Sequence, residues 1–283
     1  MSINNFKPEI WSAQLLDALE NSLVYAQPQL VNRDYEGEIS SHGQSVHITT
    51  IGDPTIFDYD KSSNLNYEEV ETSGADLIID QAKAFAFRLD DVDKAQALLN
   101  PMMKMATNAA YGLRDKADAY VANLYTRVAA SNTIGSTGAP VSLSTATDAY
   151  SKVLVPLRTK LNRANVPSEG RYVVGSPEFI GAMLNDDRFI RADASGTTEG
   201  LRNGFVGRAA GFDILESNNT PNPTGSVQVV QAGYPGAITY AEQILETEAL
   251  RLQNTIADAI RGLHVYGARL LRPTGIAVAF VNP

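Results

Sequence analysis

Three histidines, His42, His47 and His264, are the only imidazoles in a chain of 283 residues that has no cysteine. Without cysteine there are no disulfides, thiolate zinc sites, iron–sulfur clusters or cysteine nucleophiles. The absence fits a reducing compartment. His42 and His47 stand five apart across a presumed turn, and His264 is remote from both. Zinc sites use tighter clusters, and nothing like H-E-x-x-H is present, so exposed hairpin histidines are the simpler reading. Gly204, Gly207 and Gly211 match neither a dinucleotide fingerprint nor a Walker loop. Strand ends and a hairpin explain those glycines better. Asp186 with Asp187, and Asp90 with Asp91, are adjacent, and adjacent residues do not share a helix face. A glycosidase-like carboxylate pair is therefore not implied. No G-x-S-x-G elbow occurs, and Asn218-Asn219-Thr220 lacks the secretory context that would make it a glycan acceptor. These residues yield no catalytic, cofactor or metal assignment.

Composition narrows the class further. The formal charge is −9, from 23 basic and 32 acidic residues. Such a chain repels nucleic acid on average, and no run of adjacent Lys or Arg makes a binding patch. No apolar stretch approaches the roughly 20 residues that span a bilayer. The start, MSINNFKPEI, lacks the basic and apolar regions of a secretion signal. A soluble protein made inside the cell is expected. A 44% hydrophobic content supports a buried core in one or two domains.

The element that organises the chain is residues 100–128. Asn100 suits an N-cap and Pro101 the first helical position. Met102, Met105, Ala106, Ala109, Leu113, Ala117, Tyr120, Leu124 and Val128 then recur three or four apart, the spacing of one helix face. Such a helix would be about 43 Å long, a beam across a flattened molecule. Upstream, residues 10–24 carry a short amphipathic helix with Trp11 near its start, an apolar anchor.

Residues 31–75 differ in kind. Asp34, Glu36, Glu38, Asp53, Asp58, Asp60, Glu68, Glu69 and Glu71 crowd a segment with sparse aliphatics. Val46 and Ile48 alternate with polar neighbours like a strand, and Gly43 could supply a turn. The segment reads as a long hairpin with too little apolar surface for a core of its own. It is either a mobile flap or something that lies on another subunit.

Residues 76–89 read as one strand, followed by a short acidic-started helix. The Gly/Ser/Thr stretch 131–146 reads as a linker and domain boundary. Beyond it come a helix that Pro156 kinks or divides, the strand RYVVG, and a helix capped by Ser176-Pro177. After a polar loop at 190–203, strands follow in GFVGRAAGFDILES and SVQVVQAG. LRLQ, LHVYGARLL and IAVAFV read as late short strands, with a helical turn at IADAI. Strands this late imply a chain that returns to the long-helix domain.

Four stretches in this order carry a family resemblance: FAFRLDDVDKAQA, VVGSPEF, NGFVGRAAGFDILESNN and ADAIRGLHVYGARLLRPTGIAV. Together they resemble major capsid proteins of tailed bacteriophages, whose Hong-Kong-phage-type fold is shared with encapsulins and the herpesvirus shell floor. The resemblance implies an α+β fold with an N-terminal arm (1–30) and an extended β-hairpin loop (31–75). It also implies a peripheral domain with a spine helix (76–146 and 239–283) and an axial domain (147–238). It implies a non-enzymatic coat protein that self-assembles as pentamers and hexamers into an icosahedral shell around DNA, without sequence-specific binding. Its location would be the virion, and the host cytoplasm during assembly. A net negative wall suits that task, since it does not grip phosphates.

Because the family-like sequence begins almost at Met1, a separate scaffolding protein or none is expected, with portal and decoration proteins as further partners. Some members weld subunits through a hairpin lysine. Lys61 is the only lysine between Lys7 and Lys83, and a solvated or salt-bridging role is preferred for it. The expected intersubunit contacts set Asp34, Glu36, Glu38 and Asp53 of the hairpin against Arg114, Lys116 and Arg127 of a neighbour. Two rivals stand: an encapsulin-like compartment enclosing cargo enzyme, and a soluble oligomeric α+β enzyme.

Overall fold

The computed structural model describes residues 24–35, 45–51, 56, 72–90, 101–145, 147–186, 205–251 and 257–283. The expected helix at 10–24 with Trp11, the turn at Gly43, the helix after Asp90, Asn100 and the loop at 190–203 lie outside those residues, apart from Val24.

The hairpin pairs β1 (Ser45–Ile51) with β2 (Thr72–Ile78) antiparallel, Val46 opposite Leu77 and Ile48 opposite Ala75. Its strands are joined across residues 52–71. The single strand expected at 76–89 is two strands in two sheets. After Ile79 and Asp80 the chain enters β3 (Gln81–Asp90), which pairs with β11 (Ala257–Leu270); β11 pairs in turn with β10 (Ile238–Arg251). β10 and β11 are far longer than the short strands expected, and Ala257–Ile260, where a helical turn at IADAI was expected, is strand. Ala257–Ile260 is held between β3 and β10 along its length, and that pairing overrides local helix propensity.

The hairpin base is also not without a core in its own chain. Val46, Ile48, Leu77 and Ile79 are buried against Ala241 and Val265 of the β10–β11 pair. Gly267 makes the contact close: a Cβ there would lie 2.4 Å from the Ile78 carbonyl oxygen and 3.0 Å from the Ile79 Cα.

The opposite face of that sheet receives α1 (Pro101–Ala122), through an edge-to-face contact of Tyr120 with Tyr266. Ala110, Leu113, Ala117 and Val121 bury one side of α1, as the period predicts. At 22 residues α1 is about 33 Å long. It tightens into a 3-10 turn at Asn123–Arg127 and another at Ala130–Asn132, so the continuous beam is shorter than expected. Gln231 donates its side-chain N–H to the Ala122 carbonyl at 2.6 Å, and Asn123 donates to Ala119 at 2.7 Å. Both satisfy carbonyls left open at the helix end.

The second sheet runs in the order β4 (Thr133–Ile134), β12 (Ile276–Asn282), β9 (Gln228–Gly233), β6 (Tyr172–Gly175), β8 (Phe212–Glu216), β7 (Phe205–Ala209). β5 (Val141–Ser142) also pairs with β12. Both faces are covered. Tyr172, Val174, Val229 and Val278 face a core shared with α1 and β10–β11; Val173, Val230, Ala277 and Ala279 face the helices of the other side. A strand buried on both faces reads as a continuous apolar run, as RYVVG does.

Those helices are α2 (Val155–Arg163), preceded by a π-helical turn at Ala149–Leu154, and α3 (Pro177–Leu184). Pro156 stands in the first turn of α2, where its missing N–H is harmless, so the helix divides just before it. α2 ends in a Schellman pair, Asn165 N–H to Asn162 and Val166 N–H to Leu161, both 3.1 Å, with Asn165 at φ 53°. Ser176 caps α3 by accepting from the Phe179 N–H at 3.2 Å. β7 and β8 turn through Ala210 (φ 51°) and Gly211 (φ 82°), the turn expected of those glycines.

The chain passes from the second sheet to the β10–β11 pair between Gly233 and Ile238, beside the expected boundary at 238/239, whereas the stretch expected as a linker at 131–146 does not separate the two sheets. β4 and β5, inside the linker, pair parallel with β12. β12 belongs to the sheet of 172–233, not to the β10–β11 pair.

Candidate assembly surfaces and the polar groups behind them

α1 presents two kinds of polar residue. On its outer side Tyr111 is 61% exposed, and Lys116 and Arg127, in the turn that follows, are exposed as well. Arg114 is half-buried; its guanidinium carbon sits 4.2 Å from the centroid of the Tyr111 ring. That distance is a cation–π stack. The Nε of Arg114 is buried, with no hydrogen-bond partner among the described residues. Of the expected acidic partners, Asp34 is exposed, with its own N–H donated to the Asn32 side chain at 2.8 Å. Glu36, Glu38, Asp53 and Lys61 lie outside the described residues. Within one protomer, nothing described brings Asp34 to Arg114, Lys116 or Arg127.

On its inner flank α1 carries Asp118, 2% exposed. Its carboxylate accepts from the Val24 N–H at 2.9 Å and the Ala26 N–H at 3.3 Å, with Tyr25 N–H adding to the set. Residues 24–35 form a strap that these bonds pin across the helix. Burial pushes the Asp118 carboxyl up to about 6, against the strap amides and the charge of Arg114, which favour the ionised form. The strap continues along the β10 edge, Asn32 N–H donating to Ile238 and Tyr240 N–H to Asn32.

Arg33 then turns inward and pairs with buried Glu242. The second oxygen of Glu242 accepts from the Tyr240 hydroxyl at 2.5 Å and lies 3.1 Å from His264 Nε2. Burial raises the Glu242 carboxyl, but the His264 hydrogen bond and the Arg33 charge outweigh it and hold the group below its usual range. Burial and that carboxylate push the Tyr240 hydroxyl well up. His264 is fully buried, whereas His47 is exposed and its Nδ1 lies 2.6 Å from Asp76 directly across the hairpin. His42 lies outside the described residues. Among the described residues no group of three His, Asp or Glu is placed to hold a metal, and no helix is long and apolar enough to cross a membrane.

Sequence reading missed the Arg33–Glu242–His264 network and the Asp118 strap contact. Only Asp118 left a trace, as a carboxylate directly after Ala117 on the apolar stripe. The network joins residues 209 and 22 positions apart, a juxtaposition that only the sheet creates.

The described chain thus has a hairpin base packed on one face of a sheet, a helix on the other face of that sheet, and a second sheet between the shared core and two further helices. The phage capsid protein family matches residues 75–279. A solved structure from Mycobacterium phage Che8 is 35% identical, with a TM-score of 0.69 over 99% of this chain and 98% of that one. The capsid of Cyanophage P-SCSP1u, 16% identical, superposes with a TM-score of 0.64 over 93% and 89% of the two chains. The holo-SrpI encapsulin of Synechococcus elongatus PCC 7942, at 9% identity, gives 0.58 over 86% and 83%, a likeness of fold alone. No curated protein matches the chain in sequence. The chain belongs to the phage capsid protein family. Its role is that of a major capsid protein, a structural subunit of the virion shell.

Proposed function

We propose that this chain tiles its icosahedral shell as pentamers and hexamers, encloses DNA without reading its sequence, and catalyses no reaction. The observation that carries the reading is the 35% identity to the Che8 chain over nearly the full length of both. The same figure favours a phage shell over an encapsulin-like compartment, which shares the fold at 9% identity. Assembly in the host cytoplasm, with a separate scaffolding protein or none and with portal and decoration proteins, completes the reading.

The hairpin reaches a neighbour beyond its buried base. Asp34, Glu36, Glu38 and Asp53 of one subunit meet Arg114, Lys116 and Arg127 of the next, and Lys61 stays a solvated or salt-bridging lysine. Geometry supports an intermolecular pairing. Val265, which the hairpin base covers, and Tyr266, which α1 covers, are consecutive residues of β11 and so face opposite ways. The hairpin base and α1 of one protomer therefore lie on opposite faces of the same sheet. Negative-stain microscopy of the purified chain tests the reading: closed particles or ring-shaped capsomers are expected, and a small closed oligomer would refute it.

A further inference from the structure

The acidic balance of the chain is uneven. Residues 119–147, 217–241 and 259–283 hold no Asp or Glu, and Glu169 is the one acid in 149–171. The fold brings these segments together. Ala129 N–H donates to the Pro273 carbonyl at 3.1 Å, and the Asn132 side chain donates to the Thr274 carbonyl at 2.7 Å. Lys160 of α2 donates its Nζ to the Ser131 carbonyl at 2.6 Å. α2 buries Leu157 and Leu161 and leaves Arg158, Thr159, Asn162 and Arg163 exposed. Arg272 is exposed in the turn that Asn132 holds. Two acids at the margins are already engaged: Asp148 is buried and 2.9 Å from Lys152, and Asp213 is 3.2 Å from Arg208. Among the described residues no carboxylate pairs with Arg158, Arg163 or Arg272.

We propose that this face, the outer side of α2 with the adjoining Arg272 turn, docks the phosphate backbone of the enclosed DNA and therefore faces the lumen; this rests on the shell reading above. Charge selects the occupant. A chain of formal charge −9 repels a polyanion on average, and a basic surface free of unpaired acids is where that repulsion reverses. Gathering cations without counter-charges has a cost inside the protomer. Burial, with the charge of Arg158 added, lowers the Arg171 guanidinium from its usual value. Phosphate relieves such repulsion, and the guanidinium fork matches its oxygens. A protein partner would need an apolar anchor, and Val155 is the only exposed aliphatic of α2. Phosphate contacts carry no base information, so the surface suits a shell that holds DNA without reading it.

Fluorescence anisotropy of a labelled random-sequence duplex with the dissociated full-length chain, across a range of salt, tests the surface. The wild-type chain should bind at low salt and release the duplex as salt rises. Arg158→Gln combined with Arg163→Gln and Arg272→Gln should weaken low-salt binding at least about ten-fold and make the slope of log K against log salt shallower by roughly 3. A control of equal charge, Lys83→Gln with Arg88→Gln and Arg261→Gln, removes exposed cations of β3 and β11. It should bind within about two-fold of the wild-type chain, since it leaves the phosphate contacts in place. Equal losses in the two triple variants would overturn the inference, because net charge alone would then govern binding. An absence of wild-type binding would overturn it too. So would tighter binding of polyglutamate than of duplex at the same three arginines, which would assign the face to an acidic protein segment. These outcomes leave the shell reading intact. Failure of the wild-type chain to form any particle would overturn the shell reading and, with it, the lumenal assignment.

Discussion

At the scale of single residues, the buried carboxylates Asp118 and Glu242 respond to pH in opposite directions. Asp118 is raised in the folded chain, from 3.8 to about 6. A carboxyl raised by folding contributes stability that is complete below about pH 4 and is lost as pH rises through 6. The displacement corresponds to roughly 3 kcal/mol at most. Glu242 is held below its ordinary 4.5 by His264 and Arg33, against its burial. Its contribution is present at neutral pH and is lost only as pH falls through that depressed value, so the two windows separate. Unfolding free energy should therefore fall between pH 5 and pH 7.5 by an amount that Asp118→Asn abolishes, as denaturant titrations at the two pH values can measure. The variant should also lose part of the strap's hold, because an Asn amide presents a donor where Asp118 accepts from strap N–H groups. An unchanged pH slope in Asp118→Asn would assign the dependence elsewhere.

At the scale of elements, the sharpest constraint is the crossing of the hairpin over β11. Gly267→Ala would place a methyl group against the backbone of Ile78 and Ile79, neither of which can rotate away. Overpacking of this kind costs about 1–3 kcal/mol. The expected result is a lower unfolding midpoint and faster amide exchange at Val46, Ile48 and Leu77, with α2 and α3 unaffected. The same crossing explains what the sequence could and could not disclose. Leu113, Ala117 and Leu124 repeat at helical spacing, so α1 was legible, but periodicity does not separate i+4 from i+3 bonding and the 3-10 ending was not. Val46 and Ile48 showed a strand by alternation. The hairpin looked too poor in aliphatics for a core because Leu77 and Ile79 read as part of a separate strand and the other half of that core, Ala241 and Val265, lies about 160 residues or more further on. IADAI misled for the same reason: its conformation is set by β3 and β10 on either side, not by its own residues.

At the scale of the whole molecule, chain order carried more than composition did. Four stretches in sequence pointed to the shell family, although β4, β5 and β12 join a sheet that the expected domain boundaries had split. What neither a protomer's core nor its polar network supplies is the force between subunits. Exposed ion pairs contribute about 0–1 kcal/mol each and weaken with salt, so reversing one cation of a subunit would barely register in a dimer. A shell repeats each contact at every equivalent interface, and closure engages them together, which multiplies a small loss. The double reversal Lys116→Glu with Arg127→Glu should therefore leave the unfolding midpoint of the dissociated chain within about 0.5 kcal/mol. It should raise the concentration needed for assembly several-fold at low ionic strength, with the difference shrinking at high salt. Reversing Glu36 and Glu38 to Lys in the same chain should restore part of the loss if the acidic hairpin is the partner of α1. Rescue by hairpin substitutions is the measurement that separates direct pairing from a general change in net charge, because a chain made less acidic at unrelated surface positions would not recover.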